Sequence, residues 1–292
     1  MSMLNFWAYL RQRFPPVNMA LFAVLFLTVW AVAGTTGAGR AFGWREGLGI
    51  MATISFFFRL RVFDEIKDFD LDAQNHPQRV LQQGRVTLPQ LRRLAWAGAA
   101  LELGWSALLG GPAVLGWALA LAYSLVMRFE FFAPAWLRAR LLLYAVSHML
   151  IMPLIIGWLW LAYAPALSGR LVLLMLLSLL GGFAFELARK THAPAAEQAG
   201  IDSYSRTLGL AGACAGIVLV LLAGVGVQAG LLYQLHAGPG PYVVLGGLLL
   251  PTLALYRAAL ARPREALFRR AEMLVSLFML SSYLTLIVLI KA

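Results

Sequence analysis

Long apolar runs alternate with short polar segments along nearly the whole chain. A helix needs about 20 apolar residues to cross the hydrocarbon core of a bilayer, so these runs predict nine transmembrane helices. Their approximate bounds are 17–35, 44–63, 92–109, 112–128, 138–161, 169–187, 207–228, 241–260 and 271–290. Gly110, Gly111 and Pro112 join the third and fourth runs, which indicates a tight hairpin. The predicted fold class is an all-α integral membrane protein, with residues 1–292 forming a single polytopic domain.

Composition supports a bilayer as the solvent. Hydrophobic residues make up 61% of the 292 positions and charged residues only 13%, which is more apolar surface than a soluble domain of this size can bury. The net charge of +11 raises the question of nucleic acid. However, the basic residues lie in short loops between apolar runs, as they do in membrane proteins, so no nucleic-acid partner is expected. Cys214 is the single cysteine and excludes an intrachain disulfide.

The arginines and lysines also predict an orientation. With a cytoplasmic N-terminus and nine spans, the basic residues fall in cytoplasmic segments except for four of the 24, namely Arg40, Arg45, Arg170 and Lys291. Such an excess on one side is the positive-inside pattern. It places the C-terminus on the opposite side, and it suggests the inner or plasma membrane if the protein is bacterial.

An acidic cluster follows the second run, in the segment RVFDEIKDFDLDAQNHPQRVLQQGRV (61–86). Its members are Asp64, Glu65, Asp68, Asp70 and Asp72. On a continuous helix Glu65, Asp68 and Asp72 share one face, and Asp70 points nearly opposite. Aligned carboxylates repel one another and require a positive partner. Mg²⁺, which prefers carboxylate oxygens and bridges them to phosphates, is one candidate; nearby arginines with Lys67, or a solvated helix end with internal salt bridges, are the others.

Basic residues follow the acidic cluster. Pro77 disfavours helical geometry in the residue before it, so the helix is expected to end near Asn75. In the loop beyond it, Arg79 and Arg85 have the guanidinium groups that bind a diphosphate by paired hydrogen bonds.

These residues resemble the first signature of the UbiA superfamily of intramembrane prenyltransferases. That signature reads roughly N-D-x-x-D-x-x-x-D, followed by an Asn, a Pro-Arg pair and a Gly-Arg. In this chain Asp64 takes the place of the first Asn, and Glu65, Asp68 and Asp72 take the places of the three aspartates. The end of the signature is matched by Asn75, Arg79, Gly84 and Arg85.

The second signature of the family is matched less well, in FAFELARKTHAPAAEQAGIDSYSRTLG (183–209). Where the family carries D-x-x-D-x-x-x-D, this chain has Glu186, then Arg189 and Lys190, and only later Glu197 and Asp202. Glu186 is therefore either a ligand of a second metal, beside two cations that hold diphosphate directly, or the partner of Lys190 in a salt bridge one helical turn away.

The resemblance implies nine helices around a central cavity, with loops 64–90 and 183–209 forming a cytoplasmic cap. It implies an enzyme that uses Mg²⁺ to move an isoprenyl group from a prenyl diphosphate to an acceptor that the sequence does not identify. Catalytic roles fall to Glu65, Asp68, Asp72 and Lys190, and metal binding to Glu65, Asp68, Asp72 and Glu186. The expected diphosphate ligands are Arg79, Arg85, Arg128, Arg189 and Lys190, with support from Asp64, Asn75, Asp202 and Tyr204.

Other functions are compatible with parts of the pattern. A terpene cyclase, or a member of the same fold without transferase activity, would tolerate the altered second signature. A transporter or ion-binding protein would place charges deep within its spans and break helices at the midplane, whereas the acids here cluster at one interface, which argues against it. Separately, Glu102 is a lone carboxylate within the third span, to be protonated, partnered or facing a cavity. A CDP-alcohol phosphotransferase is disfavoured because its D-G-x-x-A-R signature is absent.

Overall fold

A computed structural model describes residues 2–36, 41–197 and 202–291, and every regular element in these ranges is helical. Three predictions concern residues outside these ranges: the side of the membrane on which Arg40 lies, the side on which the C-terminus lies, and the part of the loop 183–209 that comprises residues 198–201. The helices and their bounds are α1 (Met3–Arg13), α2 (Pro16–Gly34), α3 (Trp44–Lys67), α4 (Phe69–Asn75), α5 (Leu88–Leu109), α6 (Gly111–Arg128), α7 (Pro134–Arg138), α8 (Leu141–Met149), α9 (Ile151–Leu161), α10 (Gly169–Arg189), α11 (Tyr204–Thr207), α12 (Gly209–Gln234), α13 (Pro239–Ala261) and α14 (Glu265–Lys291).

Each predicted span coincides with a helix, or with the pair α8 and α9. Within the described ranges, seven segments are long and apolar enough to cross a membrane: α2, α6, α8 with α9, α10, α12, α13 and α14. The helices α3 and α5 are as long but carry more charge, and they are not among the seven. The all-helical membrane architecture is therefore confirmed, while the count of nine spans and the orientation stay predictions.

Local sequence accounts for where several helices begin. Ser2 and Ser168 accept hydrogen bonds from the backbone of Asn5 and Leu171 and so cap α1 and α10. Gly110 is the single residue between α5 and α6 and has φ +116°, a conformation that favours glycine. The predicted hairpin at this position is confirmed.

The described residues form two compact units. The first lies within Met1–Phe131 and Trp158–Pro165, and the second within Phe132–Gly157 and Ala166–Ala292. This division does not test whether the whole chain forms one membrane domain, which stays a prediction.

Aromatic side chains fill the core of the first unit. Trp158 packs 5.5 Å from Phe56 and 5.6 Å from Trp105 between ring centroids, and Trp105 packs 5.9 Å from Phe26. A Cβ atom at Gly49 would lie 2.4 Å from the ring of Phe26. The close packing of α2, α3 and α5 thus requires a glycine at this position.

In the second unit α10 packs against α12 and α14, and α13 packs against α14. Leu174, Ile217 and Phe268, from α10, α12 and α14, are among its buried residues. The loop that follows α10 therefore begins on a helix that is held by two others.

The acidic segment is not one continuous helix, so that part of the prediction was wrong. The helix α3 ends at Lys67, Asp68 has φ −97° and ψ 5°, and α4 then runs from Phe69 to Asn75. A short polar residue such as aspartate is well suited to a helix junction, because its side chain competes for backbone hydrogen bonds. The end of the helical segment at Asn75 is confirmed.

Candidate functional site

The acidic cluster of the first unit receives a cation from the N-terminal helix. Arg13, at the end of α1, places Nε 2.5 Å from Oε1 of Glu65 and Nη2 3.3 Å from Oδ2 of Asp72. One guanidinium thus joins two of the three carboxylates that the sequence groups together. Glu65 is only 1% exposed, and Asp72 is largely buried at 14%, so both carboxylates depend on such a partner.

Other basic residues complete the charge network. Nη1 of Arg79 lies 2.5 Å from the same Oδ2 of Asp72, and Asp64 lies 3.8 Å from Arg61 and 3.7 Å from Lys67. Lys67 also lies 3.8 Å from the buried Glu130. The compensation by arginines and Lys67, one of the alternatives drawn from the sequence, is present in the structure.

The pKa values of the central pair reflect burial and mutual contact. Burial raises the pKa of Glu65, which lies beyond the predicted span 44–63, although Arg13 opposes this shift. Burial alone would lower the pKa of the Arg13 guanidinium. Its hydrogen bond to Glu65 and the charges of Glu65 and Asp72 outweigh burial and raise that pKa.

Three further residues predicted for this region have different surroundings. Arg85 is exposed and donates through Nε and Nη2 to Oδ1 of Asn5 on α1, at 3.3 and 3.1 Å. The guanidinium of Arg128 lies 5.2 Å from the ring centroids of both Phe63 and Phe129, a cation–π arrangement. Asn75 is exposed at the end of α4. Their roles in diphosphate binding and support stay predictions.

A Mg²⁺ ion fits the chemistry of this cluster but not a preformed cage. The donors are carboxylate oxygens, and Oε2 of Glu65 is buried with no hydrogen-bond partner, which leaves one oxygen for a cation. However, no three His, Cys, Asp or Glu side chains in the described parts of the chain converge on one metal position. The cluster therefore suits an ion held jointly by the protein and by phosphate oxygens, the usual mode for Mg²⁺.

In the second unit Glu186 is the centre of a separate ion cluster. Its Oε2 lies 2.7 Å from Nη2 of Arg189, and its Oε1 lies 2.7 Å from Nζ of Lys190. Both oxygens therefore contact cations on the same helix or at its end. The salt-bridge alternative is present as geometry, and the assignment of Glu186 to a second metal stays a prediction.

Two carboxylates hold the segment that follows α10. Glu265, the first residue of α14, lies 3.1 Å from Nδ1 of His192 and accepts the backbone N–H of Ala193 at 2.9 Å. Glu197 accepts from the hydroxyls of Ser203 and Ser205. These contacts join the described parts of this segment to α14 and to the start of α11.

A cavity of about 320 Å³, lined mostly by charged and polar residues, lies beside this cluster. Its lining residues are Arg189, Lys190, His192, Ala196, Glu197, Asp202, Ser203 and Arg269. Asp202 thus lines the same cavity as Arg189 and Lys190, and its supporting role stays a prediction. Arg269 comes from α14 and lies 3.0 Å from Glu265 and 2.8 Å from Glu272.

Tyr204 is fully buried at the start of α11, and its hydroxyl has no hydrogen-bond partner. Its backbone N–H donates to the carbonyl of Lys190 at 2.9 Å. Burial and the nearby charge of Glu186 raise the pKa of the Tyr204 phenol. The phenol therefore stays neutral, and the residue joins the end of α10 to α11.

Arg13, His192, Glu265 and Arg269 are among the residues of these clusters that the sequence did not single out. The available signal was weak, because Arg13 lies among other polar residues in LRQR (10–13), before the first apolar run, and Arg269 is one of the arginines expected near a cytoplasmic helix end.

The structure has the fold of UbiA-type enzymes. It matches a digeranylgeranylglyceryl phosphate synthase with a TM-score of 0.72, at 15% identity over 99% of this chain and 100% of the other. A UbiA homologue from Aeropyrum pernix K1 matches with a TM-score of 0.65, at 19% identity over 91% of this chain and 96% of the other. A UbiA homologue from Archaeoglobus fulgidus bound to GPP and Mg²⁺ matches with a TM-score of 0.58, at 14% identity over 99% and 100%.

No protein-family model and no curated protein matches the sequence itself. The likeness is therefore one of fold.

Proposed function

We propose that this protein is an intramembrane prenyltransferase of the UbiA superfamily that transfers an isoprenyl group from a prenyl diphosphate to an acceptor. The observation that carries the proposal is the cluster of Glu65, Asp72, Arg13 and Arg79, which lies in a UbiA-type fold at the segment that resembles the first family signature. The Archaeoglobus homologue bound to GPP and Mg²⁺ supports a prenyl diphosphate as the donor.

The reaction divides into departure of diphosphate and capture of the isoprenyl group. The bond between the allylic carbon and the diphosphate oxygen breaks, and its electron pair leaves with the oxygen. The acceptor then forms a bond to that carbon and loses a proton. The protein accelerates such a reaction mainly by stabilising the leaving diphosphate and by excluding water.

Individual residues are assigned to these tasks. Glu65, Asp68 and Asp72 would hold Mg²⁺, which when bound supplies positive charge to the diphosphate oxygens. Arg79 donates to Asp72 and orients that carboxylate. In the second unit Lys190 and Arg189, both held by Glu186, present cations to a phosphate group in the adjoining cavity.

The test is release of diphosphate from prenyl diphosphates of several lengths by the purified full-length protein with Mg²⁺. Asp68→Asn and Asp72→Asn are expected to lower the rate about 100-fold or more, because they remove charge that acts on the leaving group. Asp70→Asn is the matched control, since Asp70 is an exposed aspartate of α4, the helix that contains Asp72 and directly follows Asp68. Its rate is expected to equal that of the unmodified protein.

Equal loss in all three variants would contradict the assignment, and so would a protein that neither binds nor cleaves any prenyl diphosphate. The same assay separates the alternatives. A terpene cyclase releases diphosphate without any acceptor and forms a cyclic product, whereas a transporter leaves the diphosphate ester intact.

A further inference from the structure

The N-terminal helix is fastened to the first-signature segment along its length. Asn5 of α1 contacts Arg85 in both directions, through its Oδ1 and through its Nδ2 to the carbonyl of Arg85 at 3.2 Å. Gln12 accepts the backbone N–H of Val80 at 3.1 Å. Arg13 is thereby directed to the interior side of this segment, between Glu65 and Asp72.

Basic side chains contact several carboxylates of this region directly. In the described parts of the chain, ion pairs of this region join the cations of Arg13, Arg61, Lys67 and Arg79 to the carboxylates of Asp64, Glu65, Asp72 and Glu130. A cluster of carboxylates alone attracts a divalent cation strongly. A cluster whose carboxylates already contact cations attracts it much less, because each guanidinium or ammonium group repels it.

We propose that Arg13 serves as an internal counter-cation of the first-signature carboxylates, and that it holds their affinity for free divalent cations low. The proposal rests on the proposed function for its meaning in catalysis, where a phosphorylated substrate supplies the negative charge that offsets Arg13. Arg13 is then a positioning residue, since it acts through Glu65 and Asp72.

The geometry carries this assignment in two ways. Arg13 contacts one oxygen of each carboxylate, Oε1 of Glu65 and Oδ2 of Asp72, so an ion that uses both of these oxygens competes directly with the guanidinium. At the same time Oε2 of Glu65 stays buried and unpartnered. A divalent cation therefore binds beside Arg13 only when a further anion, such as a phosphate group, offsets the positive charge of Arg13.

The test measures binding of Mn²⁺ alone, by electron paramagnetic resonance, to the purified full-length protein without any isoprenoid. The unmodified protein is expected to bind Mn²⁺ weakly. Arg13→Gln is expected to bind it about tenfold more tightly or better, because a nearby positive charge is removed. Arg13→Lys keeps the charge and is expected to bind as weakly as the unmodified protein.

Arg11→Gln is the matched control. Arg11 lies on the same helix and is exposed. Its substitution therefore lowers the net charge by the same amount but removes no contact with Glu65 or Asp72. A purely structural role of Arg13 predicts weaker metal binding in Arg13→Gln, which is the opposite direction. Tight binding by the unmodified protein, no gain in Arg13→Gln, or an equal gain in Arg11→Gln would each overturn the inference.

The unmodified protein alone provides a test if Arg13→Gln does not purify as a folded species. The result is also separable from the proposed function. If the protein shows the expected Mn²⁺ affinities but cleaves no prenyl diphosphate, the counter-cation role of Arg13 is supported and the proposed transferase activity is rejected.

Discussion

Arg59 and Glu102 form an ion pair inside the first unit, where neither side chain is exposed. Nη1 of Arg59 lies 2.5 Å from Oε2 of Glu102, which also accepts from Nε1 of Trp117 at 3.0 Å, while Oε1 accepts from the hydroxyl of Ser55. The guanidinium lies 4.4 Å from the ring centroid of Phe56. Of the three environments considered for Glu102 from the sequence, the structure supplies a partner.

The pair predicts a large asymmetry between single and double substitutions. Glu102→Leu leaves Arg59 charged and buried without a carboxylate, and it is expected to cost about 3–5 kcal/mol of unfolding free energy. The double variant Arg59→Met, Glu102→Leu removes both charges and is expected to recover most of that loss. Unfolding in mixed micelles measures both values, and a double variant no more stable than Glu102→Leu would contradict the expectation.

At the scale of elements, the first two turns of α14 contribute to the cavity of about 320 Å³ beside Arg189 and Lys190. Glu265 holds the segment after α10, and Arg269 adds a third fixed cation beside Arg189 and Lys190. Arg189 and Lys190 are neighbours at the end of α10, whereas Arg269 lies 79 positions further along the chain. All three form ion pairs with nearby carboxylates.

The cavity predicts that Arg269 takes part in anion binding. Arg269→Gln is expected to weaken binding of inorganic pyrophosphate about three- to tenfold, a modest effect because solvent screens a half-exposed group. Calorimetry with the full-length protein, in chelator and again in Mg²⁺, measures it. Arg270→Gln is the control, since Arg270 is the exposed neighbour and does not line the cavity. Equal weakening by both substitutions would show a general charge effect instead.

The local sequence predicted most helices and some of their ends. It did not predict the contacts between residues that are far apart in the chain. Apolar runs placed a helix at every predicted span, and Pro77 placed the end of α4, because both effects act within one or two turns. Arg13 and Glu65 are 52 positions apart, and Ala193 and Glu265 are 72 apart. Spacing along the chain contains no information about such contacts, which depend on how helices pack. The break at Asp68 was missed because the pattern of charges fits a continuous helix equally well.

At the scale of the whole molecule, the number of membrane crossings depends on α3 and α5. Hydropathy excludes them from the seven apolar segments because they contain charged residues. Yet the most deeply placed of these charges, Arg59 and Glu102, neutralise each other across the α3–α5 contact and face no solvent. Two helices whose charged side chains pair with each other are able to cross a bilayer, although each helix alone is less apolar than an ordinary membrane span.

The side of the first-signature loop therefore decides between nine and seven crossings. With nine, Gln83 lies on the cytoplasmic side together with Pro263; if α3 and α5 do not cross, Gln83 lies on the outer side with Leu167. Single cysteines introduced as Gln83→Cys, Pro263→Cys and Leu167→Cys test this in a Cys214→Ser background, which removes the buried native thiol. In intact cells a membrane-impermeant maleimide is expected to modify only the cysteine at position 167, and all three after permeabilisation. Modification at position 83 in intact cells would reject the nine-span arrangement, and modification at position 263 instead of 167 would reverse the orientation.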